Sequence, residues 1–389
     1  MTRCWRRRLA VVLSLSATVW VPALVSAQVR TPHVAITALN GATSVSYEPP
    51  RTPWGDPDLQ GTWTSDDMRG VPTVRPQQFG NRLYLNDQEF AERSKRDAQT
   101  RARADNDVGS FRNDVGTRTW RQTSLIVEPA DGRYPAFTPF AETRRASRDR
   151  GTFGDGPFDT FEDFTLYDRC ITRGIVGGVL PVPYGNGNTI VQAPGMVVIS
   201  YEMVHDTRVI YTDGRKHLNG GVRQYLGDSR GRWEGNTLVV ETRNFTDKTS
   251  IGPNGNGLRH SADLVMTERI TRVGQDIVQY EVSVTDPKTY VAPFTISMPL
   301  TPLRGDMLLP YECHEGNLAL MQSLSAERAE DRALEEDLKK GIKRERRPVQ
   351  DGNPQAGGGG RGRGAGAGGA GAPAGGRAGG APAEGDQER

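Results

Sequence analysis

Histidine carries the first chemistry to look for, because its ring titrates near neutrality and either nitrogen can bind a transition metal. The chain has five: His33, His205, His217, His260 and His314. His205 stands in Glu202-Met-Val-His-Asp206, His217 follows Asp213-Gly-Arg-Lys, and His260 precedes a strand-like run that starts at Ala262. All three fall where strand-like segments give way to loops, the positions at which a scaffold displays functional groups. If they share one end of the fold, they could hold a metal, zinc being the natural candidate, or act on a bound water. Glu202, Asp206 and Asp213 would be the accompanying carboxylates. No H-x-H or H-E-x-x-H spacing occurs, so the sequence assigns no metal. The spacing alone favours the plainer reading, in which each is a hydrogen-bonded loop residue.

Two other stretches invite a chemical reading. Gly227-Asp-Ser229-Arg-Gly231 has the spelling of a nucleophile elbow, but that motif needs a strand before it and a helix after it. Here Trp233 and a Gly235-Asn236 turn follow, so a turn entering a strand is expected, with Trp233 as a core anchor. Tyr311-Glu-Cys313-His-Glu-Gly-Asn317 is dense in polar groups. His314 and Glu315 could join the histidine site if a disulfide at Cys313 holds the loop against the barrel end; the favoured reading is a capping turn between the last strand and a helix.

Whether Cys313 is tied depends on the compartment. Arg3, Arg6, Arg7 and Arg8, the apolar run Leu9–Trp20 and the small residues Val25-Ser26-Ala27 together read as a secretory signal peptide cleaved near Ala27. The expected location is periplasmic or secreted. No later segment has the run of apolar residues a membrane span needs. After cleavage only Cys170 and Cys313 remain, and export favours a single disulfide over free thiols or metal ligands. Cleavage removes four arginines and no acid, taking the formal charge from +2 to −2. A near-neutral chain gives no electrostatic reason to bind nucleic acid.

The elements that must position these residues follow from periodicity. Residues 28–53 form a mobile lead-in, and 54–323 a β-rich domain. Asp87–Asp105 is the one expected N-terminal helix, capped by Asn86 or Asp87, and 112–161 reads as long loops. Strand patterns run over Met196–Val204, Arg208–Thr212, Thr237–Thr242, Ala262–Thr271 and Ile277–Thr285, with another around Phe294–Met298. Gly235-Asn236 and Gly274-Gln275-Asp276 mark the turns. Short connections imply an antiparallel meander, which must close into a barrel or fold into a sandwich to hide its edges; the barrel is favoured. A charged helix follows over 324–347, its acids early and its bases late. The Gly/Ala/Arg-rich tail 348–389 has too little to bury and is expected to be disordered.

Asp56-Pro-Asp-Leu-Gln-Gly-Thr-Trp63, Gly227–Thr242, Asp286-Pro-Lys-Thr-Tyr290 and Cys313-His-Glu-Gly-Asn317 together resemble a family of secreted bacterial proteins to which no reaction is assigned. The Gly-x-Trp openings are also similar to those of lipocalin-like (calycin) barrels. The resemblance implies export and a β-rich fold and supplies no catalytic residues. The expectation is a mainly β, calycin-like barrel that binds a small, partly apolar ligand at its mouth. A metal-assisted or histidine-dependent hydrolase and an envelope interaction protein are the alternatives. Oligomeric state stays open.

Overall fold

The structure, a computed structural model, describes residues 47–106, 116–146, 150–151, 157–255, 257–303, 308 and 310–346. The expected signal peptide, most of the lead-in and the tail lie outside the described residues. Within them the chain forms strands β1 (Gly61–Thr64), β2 (Ile126–Glu128), β3 (Arg150–Gly151), β4 (Gly187–Ala193), β5 (Met196–Tyr201) and β6 (Thr207–Tyr211). Then come β7 (Asp228–Glu234), β8 (Thr237–Arg243), β9 (Gly257–Leu258), β10 (Val265–Gly274), β11 (Ile277–Thr285) and β12 (Phe294–Pro302). Nine strands close into a barrel in the order β1-β4-β5-β6-β7-β8-β10-β11-β12, with β12 returning to β1. β2 shares the β1 edge of β12, and β3 pairs with β9 apart from the barrel.

The alternation that makes these segments strands also fills the barrel. On β11, Val278, Tyr280, Val282 and Val284 are buried in the core and face Leu300, Met298, Ile296 and Phe294 across the ladder to β12. Trp63, Ile190, Ile199, Ile210, Leu238, Met266 and Ile270 complete the interior from the other strands. Trp233 is only half-buried against this core, near the turn end of its strand; among the described residues the buried tryptophans are Trp63 and Trp120. A buried ion pair crosses the interior: both Arg208 Nη atoms donate to Glu268 at 2.6 Å, and the Tyr280 hydroxyl donates to Glu268 at 3.0 Å.

Direction cannot alternate all the way round a ring with an odd number of strands, so a nine-stranded barrel needs a parallel seam. The chain places it between β6 and β7, the only parallel pair of the ring. Residues 212–227 carry the chain back to the end from which β6 started, the long return that parallel neighbours require. The seam is narrow, with the single register pair Tyr211↔Arg230. Every other seam of the ring is antiparallel, as the meander implies.

Helix α1 (Asp87–Asn106) is capped by Asn86, whose Oδ1 accepts from the Glu89 N–H while Glu89 accepts from the Asn86 N–H, each at 2.9 Å. The stretch 112–161 is not all loop: it holds β2 and a helix α2 (Pro139–Ala146). Thr138 caps α2 through the Ala141 N–H at 3.2 Å, and Pro139 sits at its first position, where no N–H is needed. A short helix α3 (Ile175–Val179) is wholly buried, with Gly178 against the Tyr201 ring at the end of β5 and Gly177 against backbone of 252–255. A side chain at either glycine would collide with these neighbours. Helix α4 (Ala319–Lys339) ends the described fold.

Candidate functional site

Cys170 and Cys313 form a disulfide, with Sγ atoms 1.98 Å apart across a sequence separation of 143. It joins the loop before β4 to the segment that leads into α4, and a cavity of about 520 Å3 lies between the two. Phe164, Tyr167 and Tyr184 line it from the first segment, and Tyr311, Ala319 and Leu320 from the second. Asp168, Glu312 and Glu315 supply carboxylates, and no Lys, Arg or His is among the lining residues.

Local hydrogen bonds explain how the first wall is built. The Thr165 N–H and hydroxyl donate to Asp168 Oδ2 at 3.2 and 2.9 Å, and the Asp168 N–H donates back to the Thr165 hydroxyl at 2.9 Å. This reciprocal turn presents Tyr167 and Asp168 side by side and ends at Cys170, whose φ of 57° turns the chain sharply. Phe164 is held by stacking on Phe158, ring centroids 4.0 Å apart. The second wall is fastened by the disulfide and by Asn317, whose amide donates to the Asp168 carbonyl at 3.0 Å.

Burial pushes the Asp168 carboxyl above its ordinary value, against the hydrogen bonds from Thr165 that favour the anion. Burial likewise pushes the Tyr167 phenol up, with a hydrogen bond to Tyr311 adding to the effect and Arg173 opposing it. Arg173 lies over the Tyr167 ring, 4.9 Å from its centroid, and donates to the Gly185 carbonyl at 2.8 Å and to Asn254 Oδ1. Its guanidinium is buried and does not line the cavity.

The histidines singled out by the sequence go to separate partners. The Nδ1 of His217 lies 3.0 Å from Asp228 Oδ2, and its Nε2 lies 3.2 Å from Glu241 Oε1, on the outside of the barrel wall. His260 is buried; Nδ1 donates to the Ser261 carbonyl at 2.9 Å, Nε2 meets the Thr249 hydroxyl, and burial lowers the pKa of the ring. His205 is exposed, with a left-handed φ of 53°. Among the carboxylates, Glu202 accepts from the Gly187 N–H at 3.0 Å, and Asp206 accepts from Thr172 and is raised by burial. Asp213 is exposed and clasped by Arg215, which lowers its pKa. No hydrogen bond links any two of the three rings, and among the described residues no three His, Cys, Asp or Glu side chains are grouped to hold a metal ion.

Glu315 lines this cavity, in which no histidine takes part, and His314 is exposed and outside the lining. The aromatic wall was not singled out by sequence reasoning. Its signal is present as Phe164-Thr-Leu-Tyr167-Asp-Arg-Cys170, aromatic residues crowded beside a cysteine. Comparison with protein-family models, with curated proteins and with solved structures finds no match to this chain.

Proposed function

We propose that this is an exported binding protein that takes a small, partly apolar organic cation in the cavity beside the disulfide. The observation that carries this reading is the lining: four aromatic rings with three carboxylates and no cationic side chain. Aromatic faces attract a cation through their quadrupole, worth about 0.5–2 kcal/mol per favourable contact, and carboxylates add a matching charge. A volume of about 520 Å3 suits a small molecule. The barrel interior is occupied by core side chains, so the barrel acts as the scaffold that positions this cavity. Export is supported by the N-terminal charge and apolar pattern and is consistent with the Cys170–Cys313 disulfide.

A histidine-dependent hydrolase has less support. General-base chemistry needs a ring nitrogen free to reach a substrate or water, and His217 and His260 each have both nitrogens engaged.

The test is a calorimetric titration of the oxidised mature protein with choline and with 3,3-dimethylbutanol, its uncharged isostere. Choline is expected to bind about tenfold more tightly, the ratio that 1.4 kcal/mol of charge-dependent attraction gives. Equal affinities would remove the cation from the proposal, and a mature protein that retains residues before Gln28 would remove the cleavage.

A further inference from the structure

The parallel seam of the barrel makes a second opening of a different kind. A cleft of about 790 Å3 runs along it, lined by Thr207, Arg208 and Val209 on one bank and by Leu226, Gly227 and Asp228 on the other. Each bank is tied away from the gap. β6 pairs with β5 along its whole length, from Ser200↔Thr207 to Met196↔Tyr211. The opposite bank pairs with β8 from Asp228↔Arg243, and Gln224 exchanges backbone hydrogen bonds of 3.0 Å with Asn244 and Thr246. The ladder between the two banks has the single register pair Tyr211↔Arg230, with Gly231 packed against Ile210 beside it. A strand paired on one side leaves alternate N–H and C=O groups facing the other. Thr207–Ile210 is therefore an open strand edge inside an otherwise closed ring.

The topology says what would close it. β6 and β7 run in the same direction, so a segment inserted between them and running the opposite way is antiparallel to both. It would turn an odd ring with one parallel seam into an even ring that alternates throughout. The ring is closed at Tyr211↔Arg230, and the cleft lies beside that pair.

From this geometry we infer that the seam accepts an extended, acidic segment of a partner polypeptide by strand addition, the mode in which main-chain hydrogen bonds give affinity and alternate side chains give specificity. The charge of the rim selects the segment. Arg208 is committed to Glu268, and Arg215 to Asp213. Arg230, at the closed end of the slot, is paired with Asp228, which leaves Lys216, exposed and with no ion pair among the described residues, as the open charge of the rim. The lining carboxylates are already engaged, Asp206 by Thr172 and Asp228 by Arg230, by the Leu218 N–H and by His217. Val209, 39 % exposed, and the Tyr211 ring, with the Arg215 guanidinium 3.8 Å from its centroid, give apolar footing between the charges. A segment that alternates acidic and β-branched residues meets both demands.

The experiment uses the full mature protein and the capped peptide Ac-Glu-Val-Glu-Val-Glu-NH2, beside the same peptide N-methylated at both valines. The expected result is a slowing of amide exchange by about tenfold or more at 207–210 and 227–229 with the first peptide and none with the second, since methylation removes donors and keeps the charge. Lys216→Glu, at an exposed position, is expected to weaken the first peptide about threefold, the size of one rim ion pair. Equal binding of the methylated peptide overturns strand addition. So does an absence of slowed exchange at these two stretches. Protection that appears without peptide and grows with protein concentration makes the occupant a second copy of this chain and overturns the partner.

Discussion

The two cavities are made in opposite ways. The cavity at the disulfide is a side-chain construction: two segments far apart in sequence bring aromatic rings and carboxylates together, and a covalent tie and an asparagine hold them. The cleft at the seam is a backbone construction, required by strand parity whatever side chains line it. Their charges differ as well, the first lined by carboxylates without a cation and the second by Arg215, Lys216 and Arg230 against Asp206 and Asp228. The tie can therefore be cut without touching topology, and topology can be stressed without touching the tie.

The largest effect should come from cutting the tie. In the chain-entropy model, closing a loop of this separation contributes about 5 kcal/mol, an upper figure for what Cys170→Ser with Cys313→Ser removes. Urea unfolding would read that loss, and choline binding should disappear while seam-peptide binding persists. Retention of choline affinity in the double variant would mean the cavity does not depend on the bridge.

Next is the ion pair inside the wall. Glu268→Ala leaves Arg208 buried without a carboxylate and should cost about 3–5 kcal/mol, with seam-peptide affinity falling as the β6 bank loosens. Pairing Arg208→Met with Glu268→Leu should restore most of the stability, because the desolvation of two ions disappears together. If Glu268→Ala costs under about 1 kcal/mol, the pair is not the strut its burial implies.

A smaller, local effect belongs to Tyr311. Tyr311→Ala should lower choline affinity about tenfold and leave the seam unchanged, because one aromatic face is lost from one cavity only. A change at both would show the two cavities to be coupled.

The cavity should also carry a pH signature. Its cation needs Asp168 ionised, and burial raises the pKa of that carboxyl, so protons compete at a higher pH than at an exposed aspartate. Choline affinity should therefore fall as the pH drops, starting above the ordinary carboxylate range, and Asp168→Asn should abolish this part of the profile at lower overall affinity. Seam binding, which lacks Asp168, should not follow the same curve.

The smallest effect is on stability and comes from His260. Its folded pKa is depressed by burial, so the unfolded chain binds the proton more readily. Stability is complete above the unfolded value of about 6.5 and is lost progressively as the pH falls toward the lower folded value. His260→Gln should flatten that limb of a melting-temperature profile, and an unchanged limb would assign the acid sensitivity elsewhere.

What could be read in advance follows the same division. The β7–β8 and β10–β11 hairpins are local objects: alternation and a Gly-Asn or Gly-Gln-Asp turn specify them within about twenty residues, and Ile277–Thr285 appears with the bounds its pattern gives. The barrel as a fold class follows from several such hairpins. The parallel seam does not, because it depends on how many strands enter the ring, and short β1 (Gly61–Thr64) carries too little pattern to be counted beforehand. In the cavity, the pairing of Cys170 with Cys313 was legible because they are the two cysteines that follow the N-terminal apolar segment. Tyr167 and Tyr184 were not, since a tyrosine in a loop has the same spelling whether it lines a cavity or faces water. The histidines stood out by chemical type, and their partners Asp228, Glu241 and Thr249 are set by tertiary contacts that no spacing announces.

The bridge between Cys170 and Cys313 has a consequence for the chain as a covalent object. It encloses β4 to β12, all of the ring except β1. The excursion after β6 is exposed from Asp213 to Gln224 apart from half-buried His217 and offers Arg215, Lys216 and Arg223 to a trypsin-like protease. A single nick there severs the backbone of the barrel and yet releases nothing, because both fragments stay joined through sulfur as well as through the ladders of β5 with β6 and β7 with β8. On a denaturing gel the nicked molecule would keep its full mass until a thiol is added, and then part into two pieces.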